Sequence, residues 1–280
     1  MKLLFNARIH TCDPLHPAAS AILIEGSRIL AAGAEDELLG LDLEVTERLD
    51  LGGRTILPGL TDAHLHLQNY ALGLQKVDCE TDTLEECLER VRERVRLSHP
   101  GEWVLGHGWN QNTWGAFPSA AALDAIAPAN PVYLTAKSLH ASWANSAALR
   151  EAGIGADTPD PKDGKVARDD SGRITGILLE SAMDLMSSRL PHVSLQAMAD
   201  AMDQAQAILW RMGLTGVHDF DRRESFMALQ MLHERGRLKL RVNKNIPVDS
   251  LGHAAALGLR TGFGDDMLWI GSVKAFMDGA

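Results

Sequence analysis

The stretch Leu57-Pro58-Gly59-Leu60-Thr61-Asp62-Ala63-His64-Leu65-His66 decides how this chain is read. An apolar run, Ile56–Leu60, leads into two histidines one residue apart. Side chains two apart on a strand point to the same face. His64 and His66 therefore present two imidazoles side by side at a strand end, a geometry suited to a divalent metal ion. An isolated His-x-His describes two surface histidines equally well, so the surroundings of the pair carry the decision.

Upstream, residues 1–57 read as β-rich. Ala21–Glu25 and Arg28–Ala32 flank a Gly26-Ser27 turn, the pattern of a hairpin, and Gly52-Gly53 reads as a second turn. This segment is too short to bury a sheet on both faces and needs a partner layer. Downstream the texture changes to strand, helix, strand. Thr83-Leu84-Glu85-Glu86 fits a capping box. Behind it Leu84, Cys87, Leu88, Val91 and Val95 fall at helical spacing, with Glu86 and Arg90 placed as an i,i+4 pair. Trp103–Gly106 and Pro131–Ala136 read as strands, and Gly153–Arg173 as a polar surface loop. Leu195–Met212 reads as a helix stopped by Gly213. Beyond it the strands Leu214–Phe220, Leu238–Ile246 and Met267–Phe276 alternate with the helices Glu224–Arg235 and Asp249–Leu259. That alternation implies βαβ units and a parallel sheet.

Composition narrows the class. The 280 residues are 45% apolar and 23% charged, which excludes a disordered tail, a collagen-like repeat and a coiled coil. Against 37 Asp+Glu stand 27 Lys+Arg, a net charge of −10. This argues against a nucleic-acid partner held through phosphates and against a basic membrane-surface patch. No apolar run approaches the roughly 18 residues of a transmembrane helix, and Leu3–Phe5 is too short for a secretory signal core. Cys12, Cys79 and Cys87 include no CxxC pair and read as reduced thiols of a cytoplasmic protein.

The string ending in His64 and His66 resembles the metal-dependent amidohydrolase superfamily, whose first barrel strand ends in Pro-Gly-x-x-Asp-x-His-x-His. Further stretches resemble its amidohydrolase family 3 branch. They are Gly106-His107-Gly108-Trp109-Asn110, Ser138-Leu139-His140-Ala141-Ser142-Trp143-Ala144-Asn145-Ser146, Gly176-Ile177-Leu178-Leu179-Glu180, Gly213-Leu214-Thr215-Gly216-Val217-His218-Asp219 and Val273-Lys274-Ala275-Phe276-Met277-Asp278-Gly279. Each alone is weak; in this order over essentially the whole chain they are specific. With them the metal reading of His64 and His66 outweighs the surface-pair reading.

The resemblance implies an α/β fold: an incomplete (β/α)8 TIM-type barrel over residues 58–280, with a long insertion at about 68–190 after strand one. Residues 1–57 would be the N-terminal part of a β-sandwich. Taking Leu60–His66, Leu214–Phe220, Leu238–Ile246 and Met267–Phe276 as strands one to four puts Lys274 where two-metal members carry a carboxylated lysine. Its carbamate would bridge two cations; the alternative is an ordinary lysine paired with a carboxylate such as Asp278. His218 and Asp219 end a strand where active sites of α/β barrels collect. His218 reads either as a substrate-orienting group or as a core histidine, and Asn243 and Asn245 call for the same caution. The insertion is expected to cover the barrel mouth, so His107, Trp109, Asn110 and His140 are candidates to line a substrate pocket. The alternative for the tryptophans is the insertion's own core, preferred for Trp103, and Glu180 reads as a solvated glutamate.

The implied activity is metal-assisted hydrolysis of a C–N bond in a small amide or N-formyl-type molecule, with zinc as the default ion, one or two per site. A barrel of this kind takes about 250 residues without insertions. The family's later histidines and its general-base Asp have no counterpart here, so that base is expected beyond residue 280. The chain alone is then expected to be catalytically silent, and its open sheet edge to favour a homo-oligomer. Two other readings stay open: a mononuclear deaminase of the same superfamily, and a non-catalytic fragment or pseudo-enzyme.

Overall fold

The hairpin lies where the turn residues put it. In a computed structural model describing residues 1–41 and 44–275, Ala21–Glu25 and Arg28–Gly33 pair antiparallel across Gly26, whose φ is +56°. Lys2–His10 adds antiparallel to Ala21–Glu25 on one side and parallel to Glu47–Ile56 on the other. Gly52-Gly53 is not a turn. Both glycines have positive φ, but they sit inside the continuous Glu47–Ile56 strand where its register against Lys2–His10 slips. Opposite the slip stands Asn6, also in left-handed backbone (φ +54°), a conformation asparagine tolerates and a bulge demands. Its Nδ2 donates to Asp50 Oδ1 at 2.7 Å. The apolar positions on either side of Asn6 join different clusters. Leu3 packs with Ala21, Leu23 and Leu38, whereas Ala7 and Ile9 pack with Ile22.

The chain divides into two compact units, residues 1–63 with 209–217 and residues 64–208 with the remainder. Within residues 77–180 lies a six-stranded sheet in the order Gly164–Arg168, Ile174–Glu180, Ala141–Ala144, Val132–Ala136, Val104–Trp109, Val77–Asp78. The last three strands are parallel to one another and the others antiparallel. Gly153–Arg173 is therefore not all loop. Asp160 accepts the Val166 N–H at 2.9 Å and pairs with Arg168, bringing the Gly164–Arg168 segment onto the Ile174–Glu180 strand. One face of the sheet buries Trp109 and Trp143 with Val104, Leu134 and Ile177 against the helix Leu84–Leu97, which contributes Cys87 and Val91. Thr83 caps that helix by accepting the Glu86 N–H at 3.2 Å, while the Glu86 carboxylate turns to Arg90 at 2.8 Å. Thr83→Ala should lower stability by about 1 kcal/mol, seen as a lower urea midpoint at unchanged slope.

The remaining sheet runs in the order Leu268–Lys274, Arg241–Pro247, Leu214–Asp219, Leu60–Leu65. Arg241–Pro247 and Leu268–Lys274 are parallel. Gly59 permits the close approach at the start of Leu60–Leu65: a Cβ there would stand 2.1 Å from Thr215 Oγ1. Leu60 then donates its N–H to Gly213 O at 2.9 Å. The helix Arg223–Glu234 follows Leu214–Asp219, burying Ala228, Leu229 and Leu232. Among the described residues no helix is long and apolar enough to cross a membrane.

Candidate metal centre

His64 lies near the end of the Leu60–Leu65 strand, and His66 is the N-cap of the helix Leu67–Gly73. Their ring centroids are 5.7 Å apart with planes tilted by 53°. That spacing is short enough for both rings to reach one ion at a metal–nitrogen distance of about 2.1 Å. Phe220 joins the pair to the third candidate. Its ring lies 4.3 Å from the His64 ring, and Lys274 Nζ stands 5.4 Å from its centroid. His66, Phe220, Asp221 and Lys274 line one cavity of about 380 Å³, together with Gln68 and Asp249. Phe220 thus touches His64 and lies near Lys274, while His66 neighbours His64 and shares the cavity with Lys274.

Two buried carboxylates hold the start of the helix behind His66. Asp221 Oδ1 is 3.0 Å from His66 Nδ1, and its Oδ2 accepts the Gln68 N–H at 2.6 Å. Asp219 Oδ1 accepts the Leu67 N–H at 3.1 Å, and its Oδ2 accepts from Ser225 Oγ at 3.2 Å. Carboxylates are favoured here because the first N–H groups of a helix have no partner within it. Lys244, 1% exposed, donates from Nζ to Asp219 Oδ2 at 2.7 Å and to the carbonyl of Asp221. Burial, and then the charge of Asp219, push the Asp221 carboxyl above the usual aspartate range; the Gln68 N–H and His66 pull it back. An ionised Asp221 can only accept here, a bond that asks for the proton on His66 Nδ1 and leaves Nε2 to face a metal. Metal-binding histidines are commonly presented this way.

A model of the Amidohydrolase family matches residues 47–280. The chain belongs to that family. It is 41% identical over 191 residues to the N-substituted formamide deformylase of Arthrobacter pascens, covering 66% of this chain and 35% of that protein. Protein LONG AFTER FAR-RED 3 of Arabidopsis thaliana is 31% identical over 292 residues, 99% of this chain and 50% of the relative. A metal-dependent hydrolase from Pyrococcus horikoshii OT3, known as a crystal structure, superposes with a TM-score of 0.74 at 26% identity. It covers all of this chain and 55% of its own. The chain spans about half or less of the length of these relatives.

The amidohydrolase chain keeps its other candidates outside the lining of the His66 cavity. Trp109 is a correction: its indole is fully buried, donates to Leu134 O at 2.9 Å and packs edge-on against Trp143. It is a core side chain of the six-stranded sheet and offers no wall to a ligand. His107 bonds through Nδ1 to Thr135 Oγ1 at 2.8 Å; burial, then the Lys76 charge, push its imidazole below the ordinary range. Asn110 caps a short helix by accepting the Asn112 N–H, and exposed His140 pairs with Glu180 at 3.0 Å. His218 is half-buried and makes no side-chain hydrogen bond among the described residues. Asn245 accepts the Ser272 N–H at 3.0 Å, tying two strands together, while Asn243 Oδ1 is buried without a hydrogen-bond partner among the described residues. Asp278, the alternative partner of Lys274, lies outside the described residues, as does Phe276–Gly279 of its motif. The three cysteines are free thiols, and the bond to Cys87 and burial push Cys79 far above the range of a nucleophile.

Among the described residues no three His, Cys, Asp or Glu side chains gather closely enough to hold a metal. The candidate set is two histidines and a lysine, which becomes an anionic ligand only as a carbamate. Asp221 and Lys244 were not singled out by the sequence. Their signal was alternation: Asp219 and Asp221 are two and four residues beyond buried Val217, and Lys244 two beyond buried Val242.

Proposed function

We propose that this amidohydrolase hydrolyses a C–N bond in a small amide or N-formyl-type molecule, using divalent metal held by His64 and His66 and, where Lys274 is carboxylated, by Lys274. The reading is carried by the closeness of the His64 and His66 rings, with Phe220 between His64 and Lys274 and with Asp221 bonded to His66 Nδ1. The name of the Arthrobacter relative, a formamide deformylase, supports the substrate class, and the Pyrococcus structure supports metal dependence. When bound, a zinc-like ion supplies Lewis acidity and a nucleophilic water at neutral pH. His64 and His66 would offer neutral nitrogens to it. With one ion Lys274 stays an ammonium able to orient a carbonyl or carboxylate; with two, a carboxylated Lys274 would bridge them. In this reading the strands Leu60–Leu65, Leu214–Asp219, Arg241–Pro247 and Leu268–Lys274 are the first four of a barrel, and residues 1–57 form part of a sandwich. Three free thiols suit a reducing cytoplasm.

The test is hydrolysis of a panel of N-formyl amines and simple amides by the zinc-loaded protein that carries this chain together with the general base expected after it, with product formate or carboxylate measured. Turnover should vanish on chelation and return on adding zinc. Turnover that survives complete metal removal, or that is confined to esters, would overturn the reading.

A further inference from the structure

We infer that Lys244 is the positioning residue of His66, acting through Asp221 rather than on any ligand. Lys244 lines no part of the His66 cavity. Burying an ammonium is unfavourable unless its partners are well placed, and the partners here are unequal in kind. The Asp219 bond joins two side chains; the other bond goes to the backbone carbonyl of Asp221. One ammonium therefore holds both ends of the segment 219–221, leaving the Asp221 carboxylate to the start of the Leu67–Gly73 helix. There its two oxygens meet His66 Nδ1 and the Gln68 N–H, while Asp219 takes the Leu67 N–H. The ring and the two amides that follow it are held from one side by two carboxylates, both registered by Lys244.

An ordinary buried ion pair would need only the Asp219 contact. The bond to the Asp221 carbonyl is what couples Lys244 to the imidazole. Without it Lys244 no longer ties down the residue that aims His66, and the Nδ1 proton is held by an Asp221 less firmly placed. The inference rests on the metal reading only for its last consequence, the affinity of the site.

The experiment compares wild type with Lys244→Met, which keeps the chain length and removes the charge. The His66 tautomer is read in the metal-free protein from long-range proton–nitrogen NMR, assigned with a His66→Ala control. Cobalt(II) affinity is read by calorimetry. Wild type should show one form protonated at Nδ1. The variant should show both tautomers and bind cobalt(II) about 10- to 100-fold more weakly, the range for losing an orienting partner. A folded variant with a single Nδ1–H tautomer and unchanged affinity would overturn the inference. If wild type binds no cobalt(II), the metal reading fails while the tautomer still decides on Lys244. If Lys244→Met does not fold, Asp219→Asn with Lys244→Met removes both charges together. A mixed tautomer in that folded pair supports the inference, and a single one overturns it. A pair that does not fold either makes Lys244 a stability residue alone and equally overturns it.

Discussion

His66→Ala should strip the protein of its metal, lowering zinc or cobalt(II) affinity by more than about 100-fold. That exceeds the ~10- to 100-fold expected when only an orienting partner is lost. The substitution removes one of two converging imidazoles and leaves Asp221 Oδ1, in a residue only 6% exposed, without its ring partner. Metal content after dialysis and calorimetric titration both read the effect. Retention of stoichiometric metal by the folded variant would show that the Nε2 lone pair of His66 is not a ligand. His64→Ala should behave alike on metal, yet leave the Asp221 and Gln68 contacts as they are.

Trp109→Ala should cost about 3–5 kcal/mol of stability, the usual range for deleting a buried aromatic. The indole is fully buried with Trp114 at 6.1 Å, Phe117 at 6.2 Å and Trp143 at 6.5 Å between ring centroids. Its removal opens a large cavity and leaves the Leu134 carbonyl short of a donor. Urea unfolding monitored by tryptophan fluorescence measures the loss. If Trp109 instead lined a substrate pocket, the same change would raise KM while barely moving the unfolding midpoint. That pattern would overturn its placement in the core.

What the sequence conveyed depended on how local each signal was. The Gly26-Ser27 hairpin and the Thr83-capped helix are short-range features, and both stand where turn and cap chemistry put them. That the His64 and His66 rings lie close together was legible because period-two geometry needs no knowledge of partners. The Gly52-Gly53 pair misled because a bulge and a turn ask for the same positive φ, and only the strand alongside tells them apart. The Gly164–Arg168 strand was hidden for a related reason. It is polar, short and fixed by the side chain of Asp160, which is read locally as a loop residue. Lys244 was the hardest. A lysine in a strand is expected to face solvent, and only its parity with Val242 points inward. That parity becomes meaningful once Asp219 is known to face it across the sheet. Tryptophans gave no such handle, because an aromatic pocket wall and an aromatic core share one composition.

The glycine that opens the histidine strand has a consequence for how this sequence can drift. Pro-Gly is commonly a turn, but Gly59 is required by its neighbour. A methyl group there would stand 2.1 Å from the Thr215 Oγ1, 2.3 Å from its Cγ2 and 2.7 Å from its Cβ. Trimming Thr215 to alanine would not make room, since the Cβ that remains is itself too close. Any lineage that acquires a side chain at 59 must first lose the whole of it at 215, passing through a protein with glycine at both places and a weakened strand. Thr215 is thereby free to vary only while Gly59 stays as it is. The two positions together have space for one side chain.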